Sequence, residues 1–496
     1  MSSILLVLVA MPFVVAVACY FLPTRIAKVI TIASGSIAFV LSLILLPSVA
    51  THPQIGVGSL LRVDALSMVF LVATTFLYGT TAIFASGYLA LSDNATGKRY
   101  GRRFYAGLNL FCWSMTAAPL VNGLALLWIA VEITTVISAL LVAIDDTDEA
   151  TEASWKYVLI ASLGLGIALF GTIIMYYAGT AVFGPSYELS FTTLLTGAAK
   201  FPPDIVRLSF VLAVLGYGTK MGLAPVHTWL PDAHSEAPTP ISALLSGALL
   251  AISFYAILRY FQIAIRSLGP TFPREVLLIF GLASLALASL YLLAQRDIKR
   301  LLAYSSVEHM GILAIGMSFA APIAIFGVLL HVLAHAAAKG TAFFGAGSVV
   351  RKFATKDLHK IRGGVDLLPW SGPMFLAAIL ALSAMPPFGI FRSEFLIVSG
   401  GLKDPQDTAA VLLVILVTIA FFGLSWFGTQ TMLSPRDSLQ IQHPTGGPTL
   451  VKGEVSIYIV VSMAIGLAAL VVLGVHPPAV LTRLLTHAAG ELGSPS

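Results

Sequence analysis

Apolar residues run through this chain in long unbroken stretches, not at the two-residue alternation of a half-buried strand or the narrow stripe of a soluble helix. A bilayer core takes about 20 apolar residues per helix. Stretches on that scale fall near 3–21, 27–49, 64–90, 104–119, 122–143, 155–179, 206–231, 239–262, 275–294, 300–319, 322–349, 371–401, 408–431 and 454–475. The pattern predicts an all-α polytopic membrane protein with about 14 transmembrane helices, numbered below as spans in this order. The links are short, and none has room for a soluble domain. The start, Met1-Ser2-Ser3-Ile4-Leu5, lacks the basic lead of a cleavable signal and reads as the first span.

Two spans carry breaks. Span 7 contains Lys220-Met221-Gly222-Leu223-Ala224-Pro225 and ends at Leu230-Pro231, and span 12 contains Ala384-Met385-Pro386-Pro387-Phe388-Gly389. Proline removes an amide donor and clashes with the preceding turn. Unwound backbone at membrane depth is tolerated only where protein buries it or where it lines a watery cavity. The breaks lie an odd number of spans apart, so the matching segments run in opposite directions, as in the inverted repeats of ion-translocating folds. The expected organisation is spans 1–3 over 1–103, a first five-helix half-channel repeat over 104–262, a second over 275–431, and a last span with a tail over 432–496.

Composition agrees. Apolar and aromatic residues make up 58% of the chain and Asp, Glu, Lys and Arg only 10%, against roughly 25% charged residues in a soluble domain. Mean hydropathy is +0.93. The formal charge of +5 does not indicate nucleic-acid binding, because most basic residues fall in short links between spans. They are unevenly shared: seventeen lie in links after odd-numbered spans and eight on the other side. Basic links stay cytoplasmic, so both termini are expected on the outer side of the inner (plasma) membrane, with Lys356 in the cytoplasm. Cys19 and Cys112 are far apart in sequence with no C-x-x-C. Iron–sulfur and structural zinc sites need several close ligands, so no cofactor or redox cluster is expected, and no G-x-x-x-x-G-K nucleotide loop is present.

An ionisable residue at bilayer depth costs a few kcal/mol on insertion scales. Glu132 lies mid-span, Lys220 precedes the first break, and Glu394 follows the second. His331, His335 and Lys339 recur at i, i+4 and i+8 on span 11, within about 80° of helix arc. Glu308 and His309 sit in span 10. Each has a plain structural alternative. Glu132 and Lys220 also fit an ion pair that locks two helices. His331 and His335 have the spacing of a metal pair, without an evident third ligand, or of histidines hydrogen-bonded between helices. Glu308 and His309 also fit a solvated span end. As a set, these groups have proton affinities that neighbours can move by several units.

The block from Lys220 to Pro240, including Pro225-Val226-His227-Thr228-Trp229-Leu230-Pro231-Asp232-Ala233-His234, closely resembles the antiporter-like subunits of respiratory complex I and Mrp antiporters. Leu301-Leu302-Ala303-Tyr304-Ser305-Ser306 and His331 through Lys339 look like two further blocks of that family, and the likeness covers roughly residues 60–400. The acidic link Asp145-Asp146-Thr147-Asp148-Glu149 into Trp155-Lys156-Tyr157 looks most like hydrogenase-4 component F. Such subunits belong to group 4 nickel–iron hydrogenase and formate hydrogenlyase complexes.

The resemblance implies a proton-translocating subunit coupling remote electron transfer to proton movement. Its partners would be other membrane subunits, the lipid bilayer, and peripheral redox subunits carrying iron–sulfur or nickel–iron centres. Glu132 and Lys220 would be the paired glutamate and lysine of spans 5 and 7. His331, His335 and Lys339 would continue the axis to Glu394, with His227, His234, Glu308 and His309 as secondary candidates. Many relatives carry Lys or His in span 8, where this chain has Ser246 and Ala251, so water beside Ser246 would have to bridge the halves. An Mrp-type cation/proton antiporter subunit and a membrane component of a bicarbonate-uptake complex are the alternatives.

Overall fold

The computed structural model describes residues 2–89, 95–403, 407–435 and 451–493. Arg436, counted above among the basic link residues, lies outside them. The first helices are α1 (Ser2–Phe21), α2 (Thr24–Val49), α3 (Ala65–Tyr88), α4 (Ala95–Ala117), α5 (Leu124–Val142) and α6 (Asp148–Phe183). The short α7 (Phe191–Gly197) precedes the broken pair α8 (Pro203–Met221) and α9 (Trp229–Glu236). α10 (Thr239–Leu244) runs through a π-helical turn at Leu245–Leu249 into α11 (Leu250–Leu268). Then come α12 (Thr271–Leu292), α13 (Ile298–Ser318), α14 (Pro322–Phe353) and the one-turn α15 (Gly364–Leu367). The second broken pair is α16 (Ser371–Leu382) and α17 (Gly389–Gly401), followed by α18 (Asp407–Leu433), α19 (Ile457–Val475) and α20 (Ala479–Gly493).

Among the described residues, ten helices are long and apolar enough to cross a bilayer: α1, α2, α3, α5, α6, the α10–α11 run, α12, α14, α18 and α19. The other four expected spans are also helical, but each is charged or divided. α4 opens with Lys98, Arg99, Arg102 and Arg103, α13 carries Lys299, Arg300, Glu308 and His309, and the other two are the broken pairs. Two elements depart from the expected pattern. A small antiparallel hairpin, β1 (Gln54–Gly56) with β2 (Leu61–Val63), fills the link before α3. Beyond His476-Pro477-Pro478, the tail forms the amphipathic α20, whose buried face is Leu481, Leu484, Leu485, Ala488, Ala489 and Leu492.

Local chemistry explains where elements start and stop. Asp64 caps α3 by accepting from the Ser67 amide at 2.9 Å, and Asp297 caps α13 by accepting from the Lys299 and Arg300 amides. Such caps satisfy amides that have no partner within the helix. α8 ends at Gly222, whose φ of 86° suits a residue without a Cβ. The Pro225 that follows forbids continuation. The second break passes through Pro386-Pro387 in the same way, with α17 restarting at Gly389.

The centre is the continuous Thr239–Leu268 run together with α3 and α14, nearly all of whose residues are buried. α5, α6, α12 and α18 turn large apolar side chains outward, such as Leu140, Leu163, Ile279 and Phe422, as a lipid-facing belt requires. Helices approach closely through small residues. A Cβ on Gly216 of α8 would lie 2.5 Å from the Ala168 amide nitrogen of α6, and one on Gly311 of α13 would lie 2.9 Å from the Gly281 carbonyl of α12. Short α9 is tied to both halves, since Asp232 pairs with Lys156 of α6 at 3.4 Å and with Arg300 of α13.

Candidate functional site

Lys220, one residue before the end of α8, is completely buried. Its ammonium donates to the Val131 carbonyl at 3.2 Å and to the Thr135 hydroxyl, both on α5, and lies 5.7 Å from the Tyr157 ring centre. Glu132 is not ion-paired with it. The half-buried Glu132 carboxylate accepts from Ser162 of α6 at 3.0 Å, and its second oxygen has no partner. Helix geometry gives the reason. Residue 132 is turned about 100° from Val131 and about 60° from Thr135 around α5, so lysine and glutamate touch adjacent faces of one turn. The closed pair expected from sequence is open here.

The second half repeats this arrangement. Lys339 of α14, also completely buried, donates to the Leu302 carbonyl at 2.9 Å and to the Ser305 hydroxyl, both on α13. Each lysine therefore rests on one carbonyl and one hydroxyl a helical turn apart on a neighbouring helix. Each also has an acid one turn or less along that helix, Glu132 in one case and Glu308 in the other. Glu308 has one oxygen without a partner and is buried, not solvated. The halves meet at the π-turn, where Ser246 contacts Ser306 of α13 at 2.7 Å, next in sequence to the Lys339 cradle. No direct polar contact joins Lys220 to Ser246 among the described residues. π-turns inside helices recur at functional sites, and this one turns a hydroxyl towards α13.

Beyond Lys339 lies a sealed histidine cluster. The pair that meets is not His331 with His335, whose ring centres are 6.3 Å apart, but His309 with His331. Ser393 Oγ lies 2.7 Å from the Ile390 carbonyl and 2.9 Å from His331 Nδ1, and with its proton pointed at the carbonyl it accepts from His331. His331 Nε2 is then a lone pair, and it accepts from His309 Nδ1 at 3.1 Å. This leaves His309 Nε2 a bare base without a partner. Glu394 lies 3.9 Å from His309 Nδ1, while both nitrogens of His335 are unpartnered. One ligand atom each from His309, His331 and Glu394 falls within 4.8 Å of the others, a grouping across three helices, without His335, that sequence spacing did not reveal.

The remaining candidates lie off this line. His227 sits in the first break with its ring 6.4 Å from that of Tyr304 and its Nδ1 unpartnered. His234 of α9 is buried between Trp229 and Phe343, with Nδ1 2.8 Å from the Leu230 carbonyl and Nε2 unpartnered. Thr135, Ser162, Ser305, Ser306 and Ser393 were not singled out from sequence. A signal existed for two of them: Thr135 is three residues after Glu132 and Ser305 three before Glu308, the spacing that puts a hydroxyl and a charge on one helix face.

Residues 121–421, which include every candidate above, match the family described as "NADH:quinone oxidoreductase/Mrp antiporter, TM". The chain belongs to this family. Over 364 residues it is 36% identical to the hydrogenase-4 component F homolog of Methylacidiphilum infernorum (isolate V4), covering 73% of this chain and 76% of that relative. Solved structures share the fold at low identity. A chain of the membrane-bound sulfane sulfur reductase, an archaeal respiratory membrane complex, superposes with a TM-score of 0.84 at 20% identity, covering 100% of this chain and 98% of that one. A chain of the Mrp complex from Dietzia sp. DQ12-45-1b gives 0.83 at 20% identity, again over 100% and 98%. As an antiporter-like membrane subunit, the chain has all its candidate charged site residues in the matched part.

Proposed function

We propose that this antiporter-like subunit carries protons across the membrane through two half-channels, 104–262 and 275–431. Its parent would be a multisubunit oxidoreductase of the group 4 nickel–iron hydrogenase or formate hydrogenlyase type. The observation that carries the reading is the pair of buried lysines in like cradles, Lys220 on Val131 and Thr135 and Lys339 on Leu302 and Ser305. A buried ammonium without a carboxylate in contact has its proton affinity set by whichever charge is brought near it. An opposite charge brought to about 4 Å is worth roughly 4 kcal/mol at an effective dielectric near 20, or about three pK units. Moving Glu132 onto or away from Lys220 therefore switches the lysine. The similarity to a hydrogenase-4 component F homolog supports the choice of parent complex. Peripheral iron–sulfur or nickel–iron subunits would supply the driving energy, and identifying the partners that co-purify tests that choice against an Mrp-type assembly.

Replacing Lys220 with Arg tests the relay. Guanidinium keeps its proton at physiological pH while preserving charge and most hydrogen bonding. Proton movement by the reconstituted complex should cease while assembly is retained. Wild-type pumping in this variant would refute the relay and leave a structural role. Both termini are proposed to face outward, so a cysteine at Lys356 should resist a membrane-impermeant reagent in intact cells, and its efficient labelling would reverse the topology.

A further inference from the structure

We infer that His309, His331 and Glu394 form a binding site for a transition-metal dication of the zinc type, which closes the second half-channel when filled. Binding stands on geometry alone, while the closure rests on the proton-relay reading. Tetrahedral zinc holds nitrogen and carboxylate oxygen at about 2.0–2.2 Å, so its neighbouring donors sit about 3.3 Å apart. His309 Nδ1 and His331 Nε2 are already 3.1 Å apart, and Glu394 Oε1 is 3.9 Å from His309 Nδ1. Small side-chain rotations therefore assemble three donors, without backbone movement. The donors come from three helices, α13, α14 and α17, so the sequence spacing hides them.

Two further features belong to a ligand site and not to a packed core. Ser393 orients His331 through Nδ1 and turns Nε2 inward as a lone pair, the kind of outer contact that fixes ligating imidazoles. His335 is completely buried with both nitrogens unpartnered, and its ring centre is 5.2 Å from that of His309. It offers a further unpartnered imidazole beside the three donors. Two imidazoles and a carboxylate suit zinc, whereas magnesium and calcium require oxygen donors. On binding, the His309–His331 hydrogen bond is replaced by two metal–nitrogen bonds. The His309 proton moves from Nδ1 to the bare Nε2, and Glu394 releases its proton if it carries one. No electron is transferred. The ion then occupies the lone pair through which His309 and His331 would exchange a proton.

The test is a Co2+ titration of the chelator-washed, detergent-purified complex, because four-coordinate cobalt with nitrogen and oxygen ligands has a strong visible band. One equivalent per subunit should bind and be displaced by Zn2+. Glu394→Gln, which preserves volume, and His309→Ala should each weaken binding by at least about tenfold. Ser393→Ala should weaken it by about 10- to 100-fold through loss of orientation. The absence of a saturable band, or a band unchanged in Glu394→Gln and His309→Ala, would overturn the site. Zn2+ at saturating concentration should stop proton movement by the reconstituted complex. Binding without inhibition would overturn the closure alone. A relay refuted through Lys220→Arg would leave the cobalt titration unchanged, so the two failures are distinguishable.

Discussion

Arg259 and Lys339 are both buried cations inside the helical bundle, yet their surroundings differ. Arg259 of α11 donates to Asp64 at 2.6 Å, Ser67 at 2.8 Å, Gln262 at 2.9 Å and the Tyr255 hydroxyl at 3.0 Å. Asp64 also caps α3 and takes a second cation, Arg62, at 3.3 Å. Neither Asp64 nor Arg259 has an orphan side-chain atom. Lys339 has a carbonyl and a hydroxyl but no carboxylate in contact, and Glu308, His309 and His335 around it retain unpartnered atoms. A buried ion pair holds when its remaining hydrogen bonds are satisfied, and breaking one partner is costly. Orphan donors and acceptors are rare in folded proteins and call for an explanation. The same chain thus supplies its own control: satisfied charges tie helices together, and the proposed relay groups are those left with open donors and acceptors.

The sharpest test of that division is Arg259→Met. It leaves Asp64 buried with its main counter-charge gone and should cost about 3–5 kcal/mol of stability, read as a lower unfolding temperature of the purified complex. Per assembled complex, proton movement should stay at the wild-type rate, and a selective loss of pumping would dissolve the distinction. Lys339→Met should do the reverse, cutting translocation by about 100-fold or more, within the range for a lost proton-transfer group, with normal assembly.

Acid separates the regions further. Burial alone would raise the carboxyl of Asp64, which lies in the link before α3, but the Arg259 guanidinium and its hydrogen bond, with Arg62 behind, hold it well below the usual carboxylate range. Its contribution is fully present above the unfolded value near ~3.9 and is lost as pH falls through the depressed folded value. Stability attributable to this pair should therefore be constant from neutrality down to about pH 4, and Asp64→Asn should remove the loss at lower pH in acid-unfolding curves. The smallest effect belongs to Ser162→Ala. It removes one hydrogen bond from half-buried Glu132 and should cost about 0.5–1.5 kcal/mol, with translocation slowed but not stopped. Complete loss there would make Ser162 part of the path.

Much of this was legible in the sequence. Apolar run length located the helices, and proline with glycine located both breaks, because those signals are local. Glu132, Lys220, His331, His335, Lys339 and Glu394 stood out because charge at bilayer depth is costly wherever it falls. Contact partners were not legible. His309 meets His331 across two helices, and Glu132 turns to Ser162, for reasons of helix rotation that no single segment encodes. Arg259 was the clearest miss. It falls three residues inside the end expected for its span at 262 and was counted among the basic residues of that side, whereas the helix continues to Leu268 and encloses it. Its partner Asp64 is 195 residues away, beyond the reach of any periodicity.

The π-turn at Leu245–Leu249 has a consequence for register. A single wide turn holds one residue more than an α-helical turn would, so everything after it is phased as if by a one-residue insertion. Ser246 can face Ser306 within that turn while Arg259, further along, faces Asp64. Straightening the run to regular α-helix at its full length would rotate one part against the other by about 100°. One of the two contacts would have to be given up. The wide turn acts as a phase adjuster, letting a single helix serve a serine contact to α13 at one level and a structural anchor at another.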